Sequence, residues 1–152
     1  MVLLSATSCG TRTVGDPRPC QYDADCDRGD HCDKDTWFCA QVAEMTLDPM
    51  FMRFGVVLPG TEVYKEIRIT NTGKLELVVT GCRLEMRRIT ENDIQIVSGC
   101  APFTLKSGES HTIGVLFISK DERWGQGATL FLESNDDRYP LLMYGISGNG
   151  DF

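Results

Sequence analysis

Four cysteines, Cys20, Cys26, Cys32 and Cys39, fall within twenty residues that contain no valine, leucine, isoleucine or methionine. Such a segment has too little apolar surface to fold on a core, so covalent staples must hold it. Three more cysteines make seven in all: Cys9 stands alone, and Cys82 and Cys100 lie far downstream. Six paired cysteines in a short chain point to an oxidising compartment. The odd one, Cys9, is a thiol that would invite exchange with its neighbours' disulfides. The four clustered cysteines admit three pairings, and each bridge contributes about 2–4 kcal/mol by restricting the unfolded chain. Zinc is the competing use of such a cluster, but the spacings contain no C-x2-C pair.

The 152 residues suffice for one ordinary domain with a small appendage, and 41% hydrophobic content supplies a core. A net charge of −7 argues against a nucleic-acid partner, because phosphates need clustered Lys and Arg. No apolar run approaches the roughly eighteen residues of a helical membrane span.

Ala6-Thr7-Ser8-Cys9 resembles a bacterial lipobox, in which small residues precede a cysteine that is acylated and becomes the mature N-terminus. The resemblance implies lipidation of Cys9 and a membrane anchor in the cell envelope. Gly10 resembles the outer-membrane-destined pattern. The short start Met1–Leu4 departs from a complete secretory signal, which has a basic n-region and a longer apolar stretch. Either the true start lies upstream, or the segment is a tail with a free surface cysteine. Residues 1–19 therefore read as a signal remnant followed by a Gly-, Pro-, Thr- and Arg-rich tether.

Residues 20–40 form the expected knot. The spacing C-x-x-D-x-D-C-x-x-G-x-x-C from Cys20 to Cys32 resembles small bacterial and animal cysteine-rich modules. That resemblance implies the pairing Cys20–Cys32 with Cys26–Cys39. The alternation Asp23, Asp25, Asp27 invites calcium, which takes six to eight oxygen ligands. An EF-hand loop, however, needs Gly and Glu where Arg28 and Lys34 stand, and a solvated acidic face is the competing account. Tyr22, Trp37 and Phe38 are of the aromatic type enriched in binding hot spots. Their alternative role is packing on the disulfides. Trp124, beside Arg123 and Gly125-Gln126-Gly127, is a fourth candidate on a loop or capping the body.

From Met45 onward the chain alternates as strands do. Val63, Ile67 and Ile69 alternate with polar residues up to the turn Asn71-Thr72-Gly73. Ile113, Val115 and Phe117, then Ala128, Leu130 and Leu132, repeat the pattern, and Tyr139–Ile146 closes it. No long segment has a helical period. The expectation is an all-β fold: a seven-stranded immunoglobulin-like sandwich over residues 45–150, preceded by the disulfide-rich module. The turn-forming string Thr90-Glu91-Asn92-Asp93 lies midway between Cys82 and Cys100. A hairpin folded there opposes Met86 to Ile96, Leu84 to Ser98 and Cys82 to Cys100, which predicts a disulfide across its mouth.

Phe54-Gly55, Pro59-Gly60, Asn71-Thr72-Gly73, Ser107-Gly108-Glu109, Val115-Leu116-Phe117, Glu133-Ser134-Asn135-Asp136 and Gly145-x-x-Gly148 follow one another in an order that resembles the Hydin-type (ASH) domain. This family is related to the major-sperm-protein fold, and its bacterial versions are choice-of-anchor D domains of secreted and surface proteins. The resemblance implies a sandwich that binds or bridges proteins, with no catalytic residues. The Cys82–Cys100 pair departs from the pattern and suits an exported version.

His31 and His111 are the only histidines, and neither has a nucleophile or paired carboxylate at a catalytic spacing. His111 reads as a solvated turn residue. Gly145-x-x-Gly148-x-Gly150 follows a strand with no helix after it and is no phosphate loop. The expected function is therefore non-enzymatic: a cell-envelope lipoprotein that binds protein partners through an edge strand or the knot. The rivals are a calcium- or glycan-binding adhesin module and an intracellular scaffold of the Hydin type. Partner identity and oligomeric state are not written in the sequence.

Overall fold

The structure, a computed structural model, describes residues 18–87, 93–120 and 126–148. Cys9 with most of the tether, the predicted turn at Thr90-Glu91-Asn92, and Trp124 lie outside the described residues. Among the described residues every regular element is a strand except one 3-10 turn, Asp23–Asp25.

The knot is a hairpin of β1 (Asp30–Asp33) and β2 (Phe38–Gln41), with Cys32 opposite Cys39. These two face each other but bond elsewhere: Cys32 to Cys20 and Cys39 to Cys26, with Cα separations of 5.7 and 5.5 Å. This is the pairing that the resemblance to small cysteine-rich modules implied. The hairpin loop is organised by Asp33, whose carboxylate accepts from the Asp35 and Thr36 amides, as turn aspartates do.

The body consists of β3 (Met45–Asp48), β4 (Met52–Arg53), β5 (Glu62–Asn71), β6 (Leu77–Met86), β7 (Ile94–Ser98), β8 (Phe103–Leu105), β9 (Ser110–Ile118), β10 (Gln126–Ser134) and β11 (Leu141–Gly148). One sheet runs β4-β11-β10-β6-β8 and the other β3-β5-β9-β7. Seven of these strands have four residues or more, and the short β4 and β8 extend the edges of the first sheet. Alternation explains the two layers. Ile67 and Ile69 of β5 and Ile113, Val115 and Phe117 of β9 point one way, while Ala128, Leu130 and Leu132 of β10 point back at them. All eight are fully buried, and each large one contributes about 1.5–3 kcal/mol.

The hairpin predicted between Cys82 and Cys100 does not form. Leu84 pairs with Leu130 and Met86 with Ala128, while Ile96 pairs with Val115 in the other sheet. β7 takes β9 as its neighbour instead, and β6 takes β10 along Val79–Met86 and β8 at Leu77–Val79. The disulfide forms all the same, at a Cα separation of 5.4 Å. It ties β6 of one sheet to the residue two places past β7 of the other, so it staples the layers and not a hairpin.

Asn71 ends β5 fully buried and works as a hub. Its amide nitrogen donates to the carbonyls of Leu75 and Leu105, and its oxygen accepts from the Gly73 amide. Gly73 is required by proximity: a Cβ there would lie 2.2 Å from the Val42 carbonyl oxygen. The turn Asn71-Thr72-Gly73 thus brings the body against the segment leaving the knot.

Polar contacts hold that junction. Lys74 Nζ meets Asp30 Oδ2 at 2.8 Å, and Arg138 pairs with Asp23 and, at 3.6 Å, with Glu44. His31 is buried there, with Nε2 3.5 Å from Glu44 and Nδ1 3.8 Å from Asp137. The knot is docked on the sandwich through charged groups from both.

Candidate functional site

The strand order leaves two neighbouring edges open on one side of the sandwich. Among the described residues β3 pairs with β5 and has no strand beyond it, and β11 meets β4 only at Ile146 and Ser147. Between β3 and the Leu141–Tyr144 part of β11 runs a groove of about 550 Å³. Its walls are apolar: Met45 and Leu47 from β3, Leu141 and Met143 from β11, with Met50 and Tyr139 at the rim. Met50 is 86% exposed and Met143 69%, and Tyr139 and Leu141 are about half exposed. These side chains form one exposed apolar strip along the groove.

The rim is held in place. Tyr144 is buried, and its hydroxyl donates to the Pro49 carbonyl at 2.9 Å, anchoring the loop that carries Met50 and Phe51. Burial pushes the Tyr144 phenol far above its ordinary pKa, so it stays a donor. At the other end Asp136 accepts from the Arg138 and Tyr139 amides and from the Met45 amide of β3. The sequence pattern gives Asp136 its turn role; its tie to β3 becomes visible only once the strands are placed.

The knot offers a second surface. Tyr22 (69% exposed), Trp37 (52%) and Phe38 (41%) present much of their surface to solvent. Three aspartates of the calcium reading are each engaged elsewhere. Asp23 accepts from the Cys32 amide and pairs with Arg138, Asp25 accepts from the Gln21 and Tyr22 amides, and Asp27 pairs with Arg18. Calcium would have to displace these bonds. Among the described residues the one close group of metal-ligand types is Cys20, Cys26 and Cys39, and all three are in disulfides.

The histidines depart from their expectations. His31 has two carboxylates beside it in space, contributed by residues 13 and 106 positions away, which its sequence neighbours do not reveal. The ring is buried in the junction and closed to substrate. His111 is no loose turn residue: it lies on β9, stacks on Phe103 with ring centroids 3.9 Å apart, and its Nε2 is 2.8 Å from the Gly99 carbonyl.

No protein-family model matches the chain, and no curated protein matches it in sequence. Solved structures do match in shape. The secreted serine protease VesC from Vibrio cholerae aligns at a TM-score of 0.56 and 19% identity, over 70% of this chain and 23% of VesC. The ASH/PapD-like domain 7 of human CEP192 aligns at 0.53 and 11% identity, over 72% of this chain and 87% of that one. The body is an immunoglobulin-like sandwich. A protein of unknown function from Porphyromonas gingivalis W83 shares the shape at 0.56 and 15% identity, over 79% of this chain and 61% of that one. The chain thus spans about a quarter of VesC and under two thirds of the Porphyromonas protein.

Proposed function

We propose that this chain is a non-enzymatic cell-envelope lipoprotein whose sandwich binds an extended segment of another protein in the groove between β3 and β11. The observation that carries the reading is the exposed strip Met50, Tyr139, Leu141 and Met143, set beside two strand edges that lack a partner strand among the described residues. An extended partner strand satisfies both features at once: its backbone bonds to an edge, and its alternate side chains fill the groove. The lipid at Cys9 and the outer-membrane address rest on the lipobox resemblance, and the three disulfides are consistent with export. The Hydin-type assignment rests on the motif order, and the likeness to the CEP192 domain supports it at the level of fold. On this reading the docked knot and the tether set the distance between membrane and groove.

Site-specific photo-crosslinking in the native host tests the groove. A photoreactive residue at Met143 is expected to trap a defined protein, and one at Val97 on β7, the opposite edge of the four-stranded sheet, is not. Equal trapping at both positions, or none at Met143, contradicts the assignment.

A further inference from the structure

Trp37 occupies a backbone position that tryptophan rarely takes. It closes the four-residue loop between β1 and β2 at a φ of 59°, the left-handed region where glycine or asparagine is the usual occupant. Strain of this kind persists where the side chain has a use. The indole is not part of a core: it is half exposed and forms one wall of an open cleft of about 970 Å³. Tyr22 lines the same cleft. Lys34 lies between them, its Nζ 5.6 Å from the Tyr22 ring centroid and 5.5 Å from that of Trp37, and donates to the Gln21 carbonyl at 2.6 Å. Asp25 also lines the cleft, and the Gln21 and Tyr22 amides that hydrogen-bond to it hold its carboxyl below the usual range.

Charge narrows what fits. Lys34 already takes the place between the rings that a ligand cation would seek. Asp25 in the lining, with Asp33 and Asp35 on the same hairpin, disfavours an anion. A purely apolar group would cover the Lys34 donors and the Asp25 oxygen that the bonds to Gln21 and Tyr22 leave unused. What remains is a neutral ligand with an apolar face for the rings and a rim of hydroxyls for the ammonium, carboxylate and amide.

We propose that the cleft between Tyr22 and Trp37 is a carbohydrate site that takes a neutral hexopyranose unit of a glycan. It stands apart from the β3–β11 groove and does not depend on it. The test uses the full chain with its disulfides intact. Its two tryptophans give two indole NMR cross-peaks, and Trp37→Phe assigns the one of interest. Soluble hexasaccharides of glucose, mannose and N-acetylglucosamine are titrated, with a lysine-rich and a glutamate-rich peptide alongside. At least one hexasaccharide is expected to move the Trp37 peak saturably, with a midpoint of about 1 mM or tighter. Trp37→Gly and Tyr22→Ala are each expected to weaken it at least about tenfold, and Trp37→Gly without a fall in melting temperature. No movement with any hexasaccharide, binding that survives both substitutions, or saturation by a peptide alone overturns the proposal.

Discussion

Lys74 Nζ lies 2.8 Å from Oδ2 of Asp30, and this ion pair crosses from the sandwich to the disulfide knot. Most of the Asp30 side chain is covered, and its second oxygen is buried without a hydrogen-bond partner. Its setting lies between a surface pair and a buried one. Lys74→Ala is therefore expected to lower stability by about 1–2 kcal/mol in urea unfolding with the disulfides intact. A loss of only a few tenths would mean that the pair is as weak as an ordinary surface bridge.

Asn71 satisfies the buried Leu105 carbonyl, the part-buried Leu75 carbonyl and the Gly73 amide at the end of β5. Asn71→Ala orphans all three together and opens a small void. The expected loss is about 2–4 kcal/mol in the same measurement. A loss below about 1 kcal/mol would show that backbone rearrangement or water replaces the amide.

Acid is expected to loosen the knot through its aspartates. The Gln21 and then the Tyr22 amide hold the Asp25 carboxyl below the ordinary 3.8. The Asp35 amide, then the Thr36 hydroxyl and amide, do so for Asp33, and the Cys32 amide does so for Asp23 against some burial. A carboxyl with a lowered folded pKa contributes stability above its unfolded value and loses it as pH falls through the folded one. Amide exchange at Gln21, Tyr22 and Cys32 should thus show steady protection from neutral pH to about 5 and a fall below about 4. Unchanged protection at about pH 2 would contradict these bonds.

Relief of the left-handed strain at Trp37 has a sign of its own. Trp37→Gly is expected to raise stability by about 0.5–1 kcal/mol, because glycine adopts that φ without steric penalty. A destabilised variant would mean that the indole's contacts outweigh the strain.

The two layers were legible because alternation survives burial on one face: Ile67 and Ile69, Ile113 to Phe117 and Ala128 to Leu132 all point inward as their spacing implies. The partner of β6 was not. Alternation shows which way a strand's side chains face but not whether the next strand lies beside it or across the core, so Cys82 and Cys100 suited a hairpin and an inter-sheet staple equally. The groove was hidden for a related reason. Leu141 and Met143 look like core residues in the sequence, but they alternate with the core-facing Leu142 and Tyr144 and lie on the outer face of the sheet. His31 owes its surroundings to Glu44 and Asp137, which the docking of the knot brings together.

The intact mass of the native protein from its host's membrane fraction, before and after reduction, tests the envelope reading most directly. The account predicts a chain that begins at an acylated Cys9 and gains two hydrogens for each of the three disulfides on reduction. A chain that retains Met1, carries no lipid and gains no hydrogens, with all seven thiols free, would contradict it and favour an intracellular scaffold.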